Sequence, residues 1–113
     1  MNIDTLQPSP SRNQCAFRLN QYGKVPAISG CYVLATFEGH ILYIGQAINL
    51  RRRFEQHLDD SEKTGLTSEG RAIWFYWLEA EEGKLNPLER GWVQANQNQD
   101  GKFPILNKIS PPT

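Results

Sequence analysis

Apolar positions along the chain gather into runs with different periods, separated by polar stretches that carry Gly and Pro. Residues 31–37 (CYVLATF) and 41–46 (ILYIGQ) are β-branched and aromatic, which predicts two strands. Residues 71–78 (RAIWFYWL) are apolar on both alternating faces, as expected of a central strand covered on both sides. Leu50, Phe54 and Leu58 recur every four residues and predict a helix over 48–59, with Asn49 as N-cap. A second helix is expected to open at Asn86 and Pro87, as N-cap and first helical residue, with Leu88, Trp92 and Ala95 as its apolar stripe.

The polar stretches then read as connections. Residues 60–70 predict a loop, Glu79 to Gly83 end the central strand, and Asn96 to Gly101 form a polar exit. Residues 103–107 return as an extended segment. Residues 1–12, with Pro8, Ser9, Pro10 and Ser11, read as a flexible arm, and 110–113 as a loose tail. Residues 13–29 lack a clean period and are expected to strap across the domain. The sum is a small α+β domain: a three-stranded, mainly antiparallel sheet flanked by at least two helices.

A two-residue turn at Glu38-Gly39 pairs Phe37 with His40, Leu34 with Tyr43 and Tyr32 with Gly45. Tyr32 and Tyr43 are then diagonal neighbours on one face. A three-residue loop would send them to opposite faces. On the helix, Arg53 and His57 are four apart and share a face bordering the apolar stripe, while Arg51 and Arg52 point to solvent.

Composition narrows the class. The chain has 113 residues, enough for one domain, and equal numbers of acids and bases, 12 each. That balance excludes a protein that holds nucleic acid by bulk charge and leaves room only for a local patch. No run is long enough to span a membrane, and no secretory signal follows the first Met, so a cytoplasmic protein is expected. Cys15 and Cys31 are too few for a disulfide scaffold or a four-ligand zinc site, and both read as reduced.

The order of particular residues adds chemistry. Gly30-Cys31-Tyr32, then Tyr43-Ile44-Gly45, then Arg53, His57, Glu89 and a Pro104-x-x-Asn107 segment follow one another on the expected elements. This series resembles the GIY-YIG nucleases over about residues 26–107, with Cys31 standing where Ile is usual. The resemblance implies one catalytic domain over 13–109 and a DNA endonuclease using one Mg²⁺ or Mn²⁺ ion. It implies catalytic roles for Tyr32, Tyr43, Arg53, His57, Glu89 and Asn107. Glu89 would hold the metal and Arg53 the phosphate. Tyr32 would help deprotonate water, for which its phenol, with an ordinary pKa near 10, needs positive charge nearby. Gly45 would allow a kink or close approach of the phosphate. Arg51, Arg52, Lys102 and Lys108 flank the site as a basic face for DNA, with a protein partner or second copy for targeting.

Each residue also has an ordinary structural role to weigh. The tyrosines suit half-buried strand positions, Arg53 a solvated helix face, His57 a packing site and Asn107 a loop amide. Asn86-x-x-Glu89 is also a capping-box pattern. Trp74, Trp77 and Trp92 read as core. The alternative for the whole chain is a non-catalytic module that keeps the fold to bind nucleic acid or a partner.

Overall fold

The computed structural model describes residues 1–107. Its centre is a four-stranded antiparallel sheet in the order β1-β4-β2-β3, formed by β1 (Gln14–Ala16), β2 (Gly30–Ala35), β3 (Ile41–Ala47) and β4 (Trp74–Glu79). The three expected strands are present. The fourth, β1, is only three residues long and alternates too briefly to register as a strand in sequence. It pairs with β4, which thereby becomes interior, and every residue of β2 is buried.

The helices are α1 (Leu50–Leu58), α2 (Ser61–Thr64) and α3 (Leu85–Asp100). Alternation of side chains across the strands divides the core in two. Tyr32, Leu34, Phe75 and Trp77 meet Leu50 and Phe54 of α1 on one face. Cys31, Val33, Ile44 and Tyr76 meet Leu85 and Trp92 of α3 on the other. Asn49 caps α1 as expected, its Oδ1 accepting from the Arg52 amide at 3.1 Å. A 3₁₀ turn at Leu19–Lys24 straps across α1, in the stretch where a strap was expected.

The hairpin register is as expected where it matters, with Tyr32 opposite Gly45 and Leu34 opposite Tyr43. The route to it differs. Thr36 and His40 close a three-residue loop, Phe37-Glu38-Gly39, with Gly39 at φ +91°. That loop alone would invert the faces. A bulge beyond Ala35 adds one residue to β3, and the two offsets cancel.

Four other expectations need correction. Residues 1–12 are not a loose arm: Met1, Ile3 and Leu6 are buried in the α3-side core. The Met1 carbonyl accepts from the Ile41 amide, and the Pro8 carbonyl accepts from Trp92 Nε1 at 3.0 Å. The 60–70 loop contains α2. The second helix begins at Leu85 rather than after Asn86, because a 3₁₀ turn at Glu82–Lys84 runs directly into it. It also continues to Asp100, where Gly101 at φ +73° ends it. Buried Asn96 supports that last turn by donating to the Lys102 carbonyl at 2.9 Å. The expected tail at 110–113 and Lys108 lie outside the described residues. No described helix is long and apolar enough to cross a membrane.

If residues 1–12 are core, Leu6→Ala, at a fully buried position, should cost about 2–5 kcal/mol in denaturant unfolding. An unchanged midpoint would restore the loose arm.

Candidate active site

Gly45 is the first requirement of the site. The Tyr32 ring lies across the strand directly over it, so a Cβ built on Gly45 would stand 2.9 Å from Tyr32 Cε1 and closer still to the phenol oxygen. The glycine makes room for a side chain, where sequence suggested a kink or an approaching phosphate. Tyr32 is fully buried, and its hydroxyl reaches His57 Nε2 at 2.6 Å. The two tyrosine rings lie 6.0 Å apart on the same face, and the His57 ring meets Tyr43 edge-on at 5.2 Å. Tyr43 is only half buried, so it is the tyrosine that meets solvent. Lys63 of α2 stands over its ring at 4.8 Å and pairs with Asp60 at 3.6 Å.

Burial dominates the proton affinities. It pushes the Tyr32 phenol far above its ordinary value; Tyr43 adds to this, while Arg53 opposes it. Burial, then Lys63 and Arg53, lowers His57 to about 4, with Asp60 pulling the other way. At neutral pH the pair is therefore a neutral imidazole hydrogen-bonded to a neutral phenol.

Arg53 extends from α1 towards the exposed edge of β3. Its Nη1 donates to the Gln46 carbonyl and its Nε to Gln56 Oε1, both at 3.1 Å. Gln46 points to the opposite face, where its Nε2 donates to Glu89 Oε1 at 3.0 Å and to Asn86 Oδ1 at 2.6 Å. Glu89 therefore comes from α3, across the sheet from Arg53, and the two meet at one residue on the strand edge. Asn86 is inside the helix with its side chain committed to Gln46, and the N-cap position belongs to Lys84. The capping-box role for Glu89 thus does not arise.

Asn107 bonds the edge strand itself. Its Oδ1 accepts from the Ile44 amide and its Nδ2 donates to the Ile44 carbonyl, both at 2.8 Å. The side chain replaces a neighbouring strand beside Tyr43 and Gly45. This matches the loop-amide role considered from sequence.

The expected basic face is thinner than the residue count suggested. Arg51 Nε donates to the Val25 carbonyl at 2.8 Å, and Lys102 is paired with Glu69 at 2.6 Å. Arg52 is exposed and, with Asn49, Arg53 and Gln56, lines a hollow of about 280 Å³. Sequence reasoning did not single out Gln46 or Lys63. Gln46 directly follows the Tyr43-Ile44-Gly45 triplet, and alternation places it on the opposite face. Lys63 lay in a stretch read as loop.

Both cysteines are free and buried. Burial raises Cys15 to about 11 and Cys31 to about 12, with Glu89 adding to the rise at Cys31. The Cys31 thiol packs under α3 and donates weakly to the Leu85 carbonyl at 3.6 Å.

His57 makes stability depend on pH. Its folded pKa, about 4, lies below the ordinary 6.5. The unfolded chain takes up the proton first, so the neutral pair's full contribution holds above about 6.5 and is lost as pH falls towards 4. Denaturant melts across that range should show wild type losing more stability on acidification than His57→Gln. Equal slopes would contradict a buried neutral imidazole.

No curated protein matches the chain. A family model for the GIY-YIG catalytic domain matches residues 28–102, a span that includes Tyr32, Tyr43, Gly45, Arg53, His57 and Glu89 and stops short of Asn107. With the two tyrosines, the arginine and the carboxylate on the expected elements, the chain belongs to the GIY-YIG family.

Proposed function

We propose that this protein is a metal-dependent DNA endonuclease that cuts at the exposed edge of β3. The observation that carries this reading is Gln46, whose carbonyl holds Arg53 and whose amide holds Glu89. A cation suited to a phosphate and a carboxylate suited to a metal thereby meet at one residue of the strand that carries Tyr43. A module that only bound a partner would have no use for the carboxylate there.

Family nucleases use divalent metal ions, and the residues here fit one. Glu89 Oε1 and Asn86 Oδ1 converge on the Gln46 amide, and a hard cation in its place would find two oxygen donors. Among the described residues no group of three or more His, Cys, Asp or Glu gathers to hold an ion. Such a site suits Mg²⁺ or Mn²⁺ completed by water and phosphate oxygens. When bound, the ion supplies Lewis-acid stabilisation of the phosphate and the departing oxygen.

The remaining steps belong to the protein. Arg53 presents its permanent guanidinium charge to the phosphate and meets the charge that builds on the oxygens. Tyr32 is fully buried and strongly held in its phenol form, so a standing phenolate is not the base. Instead Tyr43, the tyrosine that meets solvent, is placed to bind and orient the attacking water, and the buried Tyr32–His57 pair fixes its ring. Asn107 acts by holding β3 in place. Arg52 offers a further phosphate contact, Arg51, Lys102 and Lys108 a weaker outer field, and targeting falls to a protein partner or a second copy. The buried free thiols fit a reducing compartment such as the cytoplasm.

Supercoiled plasmid and branched DNA should be cleaved in Mg²⁺ or Mn²⁺. Arg53→Ala and Glu89→Ala should each lose about 100-fold or more while keeping the wild-type fold by circular dichroism. Wild type that cuts neither substrate, or variants that cut equally well, would leave the non-catalytic module as the reading.

A further inference from the structure

The catalytic edge leaves unexplained how a neutral chain holds its substrate. The opposite edge of the sheet carries a feature suited to this. A groove of about 520 Å³ runs between the 3₁₀ strap and the start of β4, with Phe37, Ile73 and Trp74 on one wall and Arg18 and Lys24 on the other. A second hollow, of about 250 Å³, shares Arg18 and Ile73 with it and continues past Arg71 to Thr64 of α2. The two hollows therefore meet at Arg18 and Ile73.

Two properties mark this path. Phe37 is 70% exposed and Ile73 is 38% exposed, which gives the groove an open apolar wall. Phe37 is nevertheless held in place: its carbonyl accepts from Trp74 Nε1 at 3.2 Å, its ring lies 6.2 Å from the Trp74 ring, and the closed Thr36–His40 turn fixes its backbone. The expectation that Trp74 is core holds only in part, since it is partly buried against the α3-side core. The second property is charge. Arg18, Lys24 and Arg71 are all exposed along the path, and no carboxylate lines either hollow. Glu38 follows Phe37 in the chain but does not line the groove. In a molecule with zero formal net charge this is a local cationic strip beside a fixed aromatic platform.

We infer that the path binds an unpaired strand of nucleic acid, with a base stacked on Phe37 and phosphates along Arg18, Lys24 and Arg71. Aromatic faces accept any base, and a cationic groove tracks the backbone, so the combination suits single strands without sequence preference. Duplex DNA keeps its bases stacked inside and cannot use the platform. An acidic peptide would satisfy the cations and leave the aromatic face without a matching flat group. Joined to the nuclease reading above, on which this part rests, the path holds an unpaired stretch of the substrate at the sheet margin opposite the cut.

The binding claim can be tested without cleavage, using the full chain in EDTA and fluorescence anisotropy of a labelled oligothymidylate. Wild type should bind the oligothymidylate more tightly than a blunt duplex of the same length. Phe37→Ala and Phe37→Leu should each weaken it by about tenfold, and Phe37→Trp should restore it. Arg18→Ala with Lys24→Ala should weaken binding and flatten its salt dependence. All these residues are exposed, so melting temperatures should stay near wild type. Equal affinity for single strand and duplex, or unchanged affinity in Phe37→Ala, would overturn the proposal. So would oligoglutamate displacing the oligothymidylate equally well from wild type and Phe37→Ala. If Phe37-dependent binding is found and plasmid cleavage is not, the groove stands and the nuclease reading fails; cleavage with Phe37-independent binding gives the reverse.

Discussion

The candidate site depends on one steric fact: the Tyr32 ring occupies the space that a side chain at position 45 would fill. Because Gly45 leaves that space open, the ring can lie across β3, stack on Phe75 at 5.3 Å and bring its hydroxyl to His57. Position 57 is reached only because Leu50 and Phe54 seat α1 on the same face. The hydrogen bond then ties the central strand to the helix that carries Arg53. An alanine at 45 would have to displace the ring, and with it the imidazole and the edge of Tyr43. The glycine of the second triplet thus has a packing role.

The second constraint is position in the sheet. β3 is an edge strand, so side chains from both faces can meet around it. Arg53 comes from the α1 side and Glu89 from the α3 side, and Gln46 joins them through its backbone on one side and its amide on the other. An unprotected edge invites pairing with other chains. Asn107 blocks it at Ile44 with two hydrogen bonds, and Leu106 adds a third to the Leu42 carbonyl. The return segment after α3 therefore protects the edge beside the chemistry while leaving Gln46 accessible from outside. The proposed active edge and the cationic groove lie at opposite margins of the sheet.

Most of the architecture was legible because it rests on period and on local chemistry. The stripe of Leu50, Phe54 and Leu58 marked α1, Asn49 marked its start, and the two-sided apolar run marked β4 as interior. What escaped rests on contacts distant in sequence. Ile3 and Leu6 show no period, and their segment is held by an indole more than eighty positions away. Asn96 looks like a loop residue until its side chain is seen closing the last turn of α3. The tyrosine register was obtained through two compensating irregularities, a three-residue loop and a bulge, neither visible in the residues themselves. In the site, the order of the motif residues placed Tyr32, Arg53 and Glu89 on their elements. It could not show that Tyr32 is sealed from solvent, because burial is a property of neighbours. Nor could it show Gln46 as the link, because that depends on which face of an edge strand each helix covers.

The central claim is that Tyr32 is a buried donor to a neutral His57, and so an internal link rather than a free base. Nitrogen-15 NMR of the His57 ring at neutral pH tests this directly, since it shows which ring nitrogen carries the proton. The account predicts a neutral ring protonated at Nδ1, with Nε2 shifted as a hydrogen-bond acceptor, and loss of that shift in Tyr32→Phe. A ring protonated at Nε2, a doubly protonated ring, or spectra unchanged in Tyr32→Phe would contradict it.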